Sequence, residues 1–212
     1  MRPGPYGSGV TDRPEEASTR RRMLDAALRL FAENGFAGTS MRMLARETGL
    51  RESSFYNHFA SKDELYQAVI GQWGPMEFVQ RLKSEEYRAL ADQPAAFFRL
   101  CGKHLVDRWM DPRERLFMAL INTEGSGGPA QKRYHDALFR EEIELLADYC
   151  AAFNAEHGLF APDPRETARM FVAGLTLIRR EQLMTSATTP TRAVLDAAVS
   201  AYIENYIATV LR

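Results

Sequence analysis

Apolar residues recur along most of the chain with the spacing of an amphipathic α-helix. One helix face is marked by residues at positions i, i+3, i+4 and i+7: Leu24, Ala27, Leu28 and Phe31. We expect this first helix to begin near Ser18 or Thr19 and to stop at Gly35, a residue type that commonly ends helices. Nowhere do apolar and polar residues alternate strictly, as they would in a half-buried strand. The pattern therefore predicts an all-α protein.

Three shorter helices follow the first in close succession. The second is expected after Thr39-Ser40, and Gly49 would end it. The third would run from about Arg51 to His58, and the fourth opens at Ser61-Lys62-Asp63-Glu64. That tetrad fits a capping box, in which the serine and the glutamate side chains each accept a hydrogen bond from a backbone donor near the helix start.

Longer helices are predicted for the rest of the chain, roughly at 75–91, 95–110, 113–124, 130–157, 164–184 and 191–211. Prolines fall between these ranges or at their starts, where a missing backbone donor is tolerated. The change in helix length predicts a domain boundary inside the fourth helix. We expect a disordered Gly/Pro-rich leader at 1–17, a first domain at 18–66 and a larger second domain at 67–212.

Composition supports the helical prediction. Ala and Leu, which favour helices, total 49 residues, whereas the β-branched Val and Ile total 14. The chain has no apolar run long enough to span a membrane, no secretory signal pattern and only two cysteines, Cys101 and Cys150. We therefore expect a cytoplasmic protein without a disulfide framework.

The net charge of −1 at first argues against a nucleic-acid partner. Its distribution changes that conclusion, because residues 20–62 carry eight basic and four acidic side chains, a local net charge of +4. Charges further away than about 8 Å are largely screened in physiological salt, so the local excess decides which partner is attracted.

The basic segment contains a possible helix-turn-helix. Two short helices at 39–58 are joined by the tight turn Thr48-Gly49-Leu50, and an ordinary helical hairpin is the alternative that this spacing allows. The third helix carries Ser53, Ser54 and Asn57, which are poor choices for a helix interior. Short hydrogen-bonding side chains suit close contact with DNA, and they favour the helix-turn-helix interpretation.

The same residues resemble the TetR family of bacterial transcriptional regulators. The resemblance is carried by segment 24–31 followed by Gly35-Phe36, by Thr39-Ser40-Met41, by Leu44-Ala45, by Gly49-Leu50, by Phe55-Tyr56-Asn57-His58-Phe59 and by 61–65. It covers about residues 20–66. Over the other two-thirds of the chain, only length and helical character agree with the family.

The resemblance implies a set of DNA contacts in the first domain. Thr39 and Ser40 would hold a phosphate at the start of the second helix, where the helix dipole is positive. Arg42 would contact phosphate or a base edge, the third helix would face the major groove, and Lys62 would bind the backbone. The full predicted set is Thr39, Ser40, Arg42, Arg51, Glu52, Ser53, Ser54, Tyr56, Asn57, His58 and Lys62.

One position departs from the family pattern. The family usually has Ser or Thr, a capping residue, where this chain has Arg51. Loss of a cap costs about 0.5–2 kcal/mol, and Glu52 in the first turn offsets part of it through the helix dipole. Whether Arg51 contacts a base or a phosphate stays open at this stage.

The resemblance also implies that the second domain binds a small effector and pairs two chains. Large apolar side chains at helical spacing are usually core, but we select as pocket candidates Phe98, Cys101, His104, Leu105, Phe117, Ile121, Asn122, Phe139 and Phe153. Two apolar stripes on the last helices predict a four-helix dimer interface. Its residues would be Phe171, Gly174, Leu175, Ile178, Leu195, Ala198, Val199, Tyr202 and Tyr206.

We thus expect a homodimeric repressor that binds a palindromic DNA operator and is released by an unknown small molecule, with no cofactor, metal or membrane partner. A regulator controlled by a protein partner is one alternative. A small helical enzyme is the other, but no nucleophile, phosphate-loop or zinc-binding motif occurs. Cys101 with His104 could provide only two metal ligands, and His104 with Asp107 could form an acid–base pair or a plain surface hydrogen bond.

Overall fold

The computed structural model describes residues 14–74, 76–123, 132, 135–157, 163–184 and 189–211, and all regular elements in these ranges are helical. The α-helices are α1 (Pro14–Gly38), α2 (Met41–Thr48), α3 (Glu52–Tyr56), α4 (Lys62–Trp73), α5 (Met76–Leu82), α6 (Glu85–Arg88), α7 (Pro94–Trp109), α8 (Pro112–Thr123), α9 (Ile143–His157), α10 (Pro164–Met184) and α11 (Arg192–Val210). A π-helical segment, Ala137–Glu142, leads into α9. The all-α prediction is confirmed.

Some helix limits differ from those expected. Helix α1 begins at Pro14, so the predicted leader overlaps its first turn, while residues 1–13 lie outside the described part of the chain. At Gly35 the expected stop is present, because the backbone leaves the helical conformation there (φ 70°, ψ 171°), and a second helical piece follows it within α1. The single helix expected at 75–91 is two helices, because the backbone is extended at Ser84. The domain boundary after residue 66, which the sequence places inside the fourth helix, stays a prediction; α4 continues through it to Trp73.

The first of two hydrophobic cores joins α1–α4 to α8. Phe31 packs edge-on against Tyr66, with ring centroids 5.1 Å apart. Phe117 and Ile121 of α8 are buried in this same core. The sequence predicts that these two residues line an effector pocket in the second domain; the structure places them in the first core, because α8 packs on α1. Asn122, from the same prediction, is exposed.

The second core is formed by α5–α7 and α9–α11. Its centre is aromatic: the ring of Phe98 lies 4.9 Å from that of Phe171 and 5.0 Å from that of Tyr206, centroid to centroid. The pocket candidates Cys101, Leu105 and Phe153 are buried in this core. Phe139, another candidate, lies outside the residues whose side chains are described.

The predicted dimer stripes face inward. Buried within the protomer's own second core are Phe171, Leu175, Leu195, Val199 and Tyr206. They are not available to a partner chain, because α10 and α11 use these faces to cover α7 and α9. Ile178, Ala198 and Tyr202 are only partly buried.

Gly174 allows α10 to approach α11 closely. A Cβ atom at this position would lie 2.2 Å from Tyr202 Cε2, and the Tyr202 hydroxyl donates a hydrogen bond of 2.6 Å to the carbonyl of Met170. We expect Gly174→Ala to displace the Tyr202 ring and to lower the free energy of unfolding by about 1–3 kcal/mol. Urea denaturation would measure the loss.

Gly71 of α4 provides the matched control. A Cβ atom there would meet no heavy atom within 4 Å, and Gly71 is exposed in a helix interior. Gly71→Ala should therefore stabilise the protein by roughly 0.5–1 kcal/mol. Equal stability changes for the two substitutions would contradict the packing described at Gly174.

A search of the described helices for one both long and apolar enough to cross a membrane finds none.

Candidate nucleic-acid interface and effector region

The connection between α1 and α2 is held by Thr39. Its side chain is only 1% exposed, and its hydroxyl donates to the carbonyls of Leu30 at 3.0 Å and Gly35 at 2.9 Å. A hydroxyl group engaged in this way fixes the geometry of the turn. The sequence had predicted that Thr39 contacts phosphate, whereas the structure shows its side chain facing inward.

Lys62, the first residue of α4, reaches back to the same turn. Its Nζ donates to the carbonyls of Phe36 and Thr39, both at 2.8 Å, and lies 4.2 Å from the centroid of the Phe36 ring. The ammonium group thereby satisfies carbonyls near the end of α1 and ties α4 to the start of α2. Lys62 is partly buried, so it braces the domain in addition to any contact with DNA.

Both ends of α2 are capped by local hydrogen bonds. The Ser40 hydroxyl accepts from the Met43 N–H at 3.2 Å. At the other end Gly49 adopts φ 67°, a left-handed conformation that glycine tolerates, and the Leu50 N–H donates to the Ala45 carbonyl at 3.0 Å. These bonds set the sharp turn between α2 and α3 on which a helix-turn-helix depends.

Helix α3 is short and largely polar on its outer side. Its start lacks a side-chain cap, because Arg51 occupies the N-cap position without making a capping hydrogen bond, as the sequence predicted. Phe55 and the following Phe59 are buried and attach the segment to the first core. Tyr56, by contrast, is 52% exposed.

The capping box at the start of α4 is confirmed with one difference. The Ser61 hydroxyl accepts from the Glu64 N–H at 3.1 Å, as expected. The Glu64 carboxylate, however, accepts from the N–H of Ala60, one residue before the cap. Both bonds fix the direction in which α4 leaves the turn after α3.

Five arginines of the first domain, on α1, α2 and at the start of α3, fall into two groups. Arg22 donates to the Thr48 carbonyl at 2.9 Å and Arg29 pairs with Glu47 at 3.0 Å, so both help to fasten α2 to α1. Arg42, Arg46 and Arg51 are exposed, and the described part of the chain supplies no ion-pair partner for them. These three arginines carry the positive charge that is available to an external polyanion.

The predicted DNA-contacting residues therefore occupy different environments. Ser40, Arg42, Arg51, Glu52, Ser53, Tyr56 and Asn57 are exposed on or beside α2 and α3, whereas Ser54, His58 and Lys62 are partly buried. Sequence reasoning missed two further exposed side chains, Arg46 and Met43. The signal for Arg46 was present, since it follows Arg42 at i+4 and so lies on the same side of α2.

His104 of α7 is the one effector candidate that we find at the wall of a described cavity. This cavity, of about 390 Å³, lies where α1, α4, α5, α7 and α8 meet. A hydrogen bond of 2.9 Å joins His104 Nδ1 to the Tyr87 hydroxyl, and burial lowers the pKa of the imidazole. The predicted acid–base partner Asp107 instead accepts from Arg192. Among the described residues, no three His, Cys, Asp or Glu side chains form a metal-binding group.

Comparison with known proteins identifies the first domain. Residues 23–69 match the family described as "Bacterial regulatory proteins, tetR family". A 58-residue segment is 41% identical to the HTH-type transcriptional regulator UidR of Escherichia coli K12. That segment is 27% of this chain and spans only 30% of the length of UidR.

The fold of the whole described chain also has solved counterparts. A TetR-family transcriptional regulator from Mesorhizobium loti superposes with a TM-score of 0.70 at 20% identity, covering 92% of this chain and 98% of the other. SmeT, described as the repressor of the Stenotrophomonas maltophilia multidrug efflux pump SmeDEF, has been solved with triclosan. That complex gives a TM-score of 0.73 at 22% identity and covers 92% of both chains. Residues 23–69 thus match the TetR family of bacterial regulatory proteins, and the fold of the described chain is similar to that of these two solved regulators.

Proposed function

We propose that this protein is a transcriptional repressor that binds a palindromic DNA operator as a homodimer. The observation that carries the proposal is the exposed polar and basic face of α2 and α3, held on a rigid core by Thr39, Lys62 and Gly49. Arg42, Arg46 and Arg51 would neutralise phosphates or contact bases, and α3 would enter the major groove. Contact with chromosomal DNA requires a cytoplasmic location.

Exposed large apolar side chains support both the DNA-binding part and the homodimer part of this proposal. Five such side chains are exposed within the described residues. Met43 and Tyr56 lie on the helix-turn-helix, and the other three lie on α10 and α11: Met170, Leu177 and Val194. Apolar side chains on a protein surface mark sites of contact when they are grouped. Met170 and Leu177 are seven residues apart, two helical turns, and Ala173 between them is also exposed.

We therefore assign the dimer contact to this outer face of α10 and α11 in place of the stripes predicted from sequence. Two copies of the helix pair would form a four-helix bundle around a two-fold axis. Two-fold symmetry in the protein requires inverted half-sites in the DNA.

Control by a small molecule is the second part of the proposal. SmeT, a repressor of similar fold, has been solved with triclosan, and the present chain has a second core and a cavity next to its DNA-binding domain. A protein partner that binds the outer surface is the alternative. Thermal stabilisation or DNA release by small molecules would favour the first, and release only by a protein would favour the second. The enzyme alternative has no support, because the family consists of regulatory proteins.

A gel-shift assay and a nuclease footprint on DNA flanking the protein's own gene test the proposal. We expect a footprint with two inverted half-sites and a complex containing two chains per duplex. A complex that forms equally well on random DNA of the same length would contradict sequence-specific regulation.

Arg51 should determine sequence preference. It is exposed at the start of α3, and arginine can bind guanine through two hydrogen bonds worth about 1–3 kcal/mol of discrimination. We expect Arg51→Ala to weaken binding to the matched operator roughly 5- to 100-fold while changing binding to a scrambled site much less. Fluorescence anisotropy on both duplexes would show this, with Arg99→Ala on the second domain as the control. Equal losses on both duplexes would show that Arg51 contacts phosphate only.

Leu177 should be required for dimerisation. Its side chain is 57% exposed in the single chain, and a carboxylate placed in an apolar interface would be strongly unfavourable. We expect Leu177→Glu to be monomeric at micromolar concentration by analytical ultracentrifugation. The control Gln80→Glu adds the same charge to the exposed surface of α5 and should stay dimeric. A monomeric wild-type protein would disprove the dimer itself.

A further inference from the structure

Two adjacent residues in the first turn of α8 join the two hydrophobic cores. Arg113 pairs at 3.5 Å with Asp25 of α1, a helix of the first core. Glu114 accepts hydrogen bonds from Arg108 of α7 at 3.3 Å and from Arg179 of α10, two helices of the second core. Adjacent residues of an α-helix point about 100° apart, so a single turn reaches helices on different sides.

Beyond this turn, α8 belongs to the first core. Phe117 and Leu120 are fully buried there together with Phe31 of α1. Helix α8 is therefore attached to the helix-turn-helix domain by apolar packing along its length, and to the second core by charged groups at its start. The first turn of α8 lies where the two parts of the chain meet.

The C-terminal end of α4 is held at the same place. The carbonyl of Trp73, the last residue of α4, accepts from Arg108 at 3.1 Å, and the guanidinium of Arg113 lies 5.9 Å from the centroid of the Trp73 ring. The last carbonyls of a helix lack intrahelical donors and carry the negative end of its dipole, and an indole face attracts a cation. Two arginines thus fasten α4, which follows the helix-turn-helix directly, to α7 and α8. We call this set of contacts around Arg108, Arg113 and Glu114 the joint.

Burial makes the joint stiff. The side chain of Glu114 is 3% exposed and that of Arg179 is 9% exposed. A rotation of the first domain would separate these desolvated charges, which is strongly unfavourable. The joint also forms part of the wall of the cavity at His104, where arginines from four helices stand with an equal number of carboxylates. The charges of that wall are balanced, as a rigid contact between two parts of a protein requires.

We propose that the joint sets the distance between the DNA half-sites that the dimer accepts, with Arg113 and Glu114 as positioning residues. The inference rests on the proposed DNA-binding homodimer. Helix α10 carries the proposed dimer contact and holds Glu114 through Arg179, so connected contacts run from the dimer face to α1 and α4 of each chain. A stiff joint keeps the two copies of α3 at one separation. One added base pair shifts a half-site by about 3.4 Å and rotates it by about 34°, so a rigid dimer should bind it poorly.

Spin labels test the joint without DNA. They would be attached in the double variant Glu52→Cys and Lys103→Cys, on α3 and α7, since both positions are exposed while the native Cys101 and Cys150 are buried. Dilution with unlabelled protein leaves the distance within one chain, which electron–electron double resonance measures. We expect a narrow distance distribution in this background and a roughly twofold broader one when Arg113→Gln is added.

Duplexes with altered spacing test the consequence for DNA recognition. Fluorescence anisotropy would compare the preferred inverted repeat with versions that carry two base pairs more or fewer between the half-sites. The affinity of the wild type should fall at least roughly thirtyfold on the altered duplexes, and that of Arg113→Gln about fivefold or less, because a loose joint lets α3 follow the half-sites. Arg113 is partly exposed, so this variant should fold. Glu114→Gln keeps the shape of the side chain and should flatten the spacing profile in the same way.

Glu204→Ala and Leu146→Ala are the controls. The first breaks an exposed ion pair, and the second lowers stability from inside the second core without removing a contact of the joint. Both should keep the narrow distance distribution and the steep spacing profile. An unchanged distribution or an unchanged profile in folded Arg113→Gln would overturn the inference, as would equal broadening in Leu146→Ala. A wild type that binds no inverted repeat refutes the proposed function and the half-site spacing with it, whereas a steep wild-type profile that Arg113→Gln retains refutes only the role of the joint.

Discussion

Glu114→Ala should lower the free energy of unfolding by about 3–5 kcal/mol. The substitution leaves Arg108 and Arg179 inside the protein without the carboxylate that both contact. Removing one member of a buried ionic cluster costs far more than the cluster contributes, because the remaining charges stay desolvated. Urea denaturation followed by circular dichroism would give the loss, which corresponds to a fall in melting temperature of roughly 6–20 °C.

Glu204→Ala is the matched control for Glu114→Ala. Glu204 accepts two hydrogen bonds from Arg99, at 2.7 and 2.8 Å, but both side chains are 54% exposed. Water screens such a pair, so the expected cost is below about 1 kcal/mol. Similar losses for the two substitutions would show that Glu114 is not buried between two arginines as described.

Lys62→Met should damage both stability and DNA binding. Methionine retains much of the apolar stem but cannot donate to the carbonyls of Phe36 and Thr39. Hydrogen bonds from a charged donor contribute about 1.5–3 kcal/mol, so a loss in that range is expected on urea denaturation. Because the brace sets the position of α2, affinity should fall at least roughly tenfold for matched and scrambled DNA alike.

Lys103→Met distinguishes this effect from a general loss of positive charge. Lys103 is exposed on α7, outside the helix-turn-helix, and should tolerate the change with little effect on stability. Its DNA affinity should stay close to that of the wild type. If Lys62→Met kept both its stability and its affinity, Lys62 would be neither a brace nor a phosphate contact.

Local features of the first domain could be predicted because local residues create them. Ser40 and Ser61 cap the helices that follow them, and Gly49 ends α2 in a left-handed conformation, all as the sequence indicates. Each of these signals lies within four residues of the bond it makes. The predicted limits of α2 consequently agree with the structure.

Contacts between residues distant in sequence could not be predicted. The inward orientation of Lys62 depends on Phe36, which lies 26 positions earlier. An apolar stripe shows that a helix face is buried, but not whether its own chain or a second chain covers it. The stripe containing Phe171 and Leu175 therefore predicts a contact with a partner chain, whereas the protomer's own second core buries both residues.

The effector candidates also show that contacts between distant parts of the chain cannot be predicted from helix spacing. Phe117 and Ile121 have the spacing of a pocket wall but belong to the first core, because α8 packs on α1. The charged cavity could not be anticipated, since its arginines come from four helices spread between Arg21 and Arg113. Only His104 was selected from the sequence and also lies at this cavity.

The central claim is that α2 and α3 recognise a two-fold symmetric DNA sequence. Selection of duplexes from a random library by the purified full-length protein, followed by sequencing, tests it most directly. The account predicts enrichment of an inverted repeat whose half-sites are spaced by about one helical turn, 10–10.5 base pairs, or a multiple of it. If the Arg51→Ala variant no longer enriches the inverted repeat, recognition of the repeat depends on the residue at the start of α3. Absence of any enriched sequence, or enrichment of a single unrepeated site, would contradict the account.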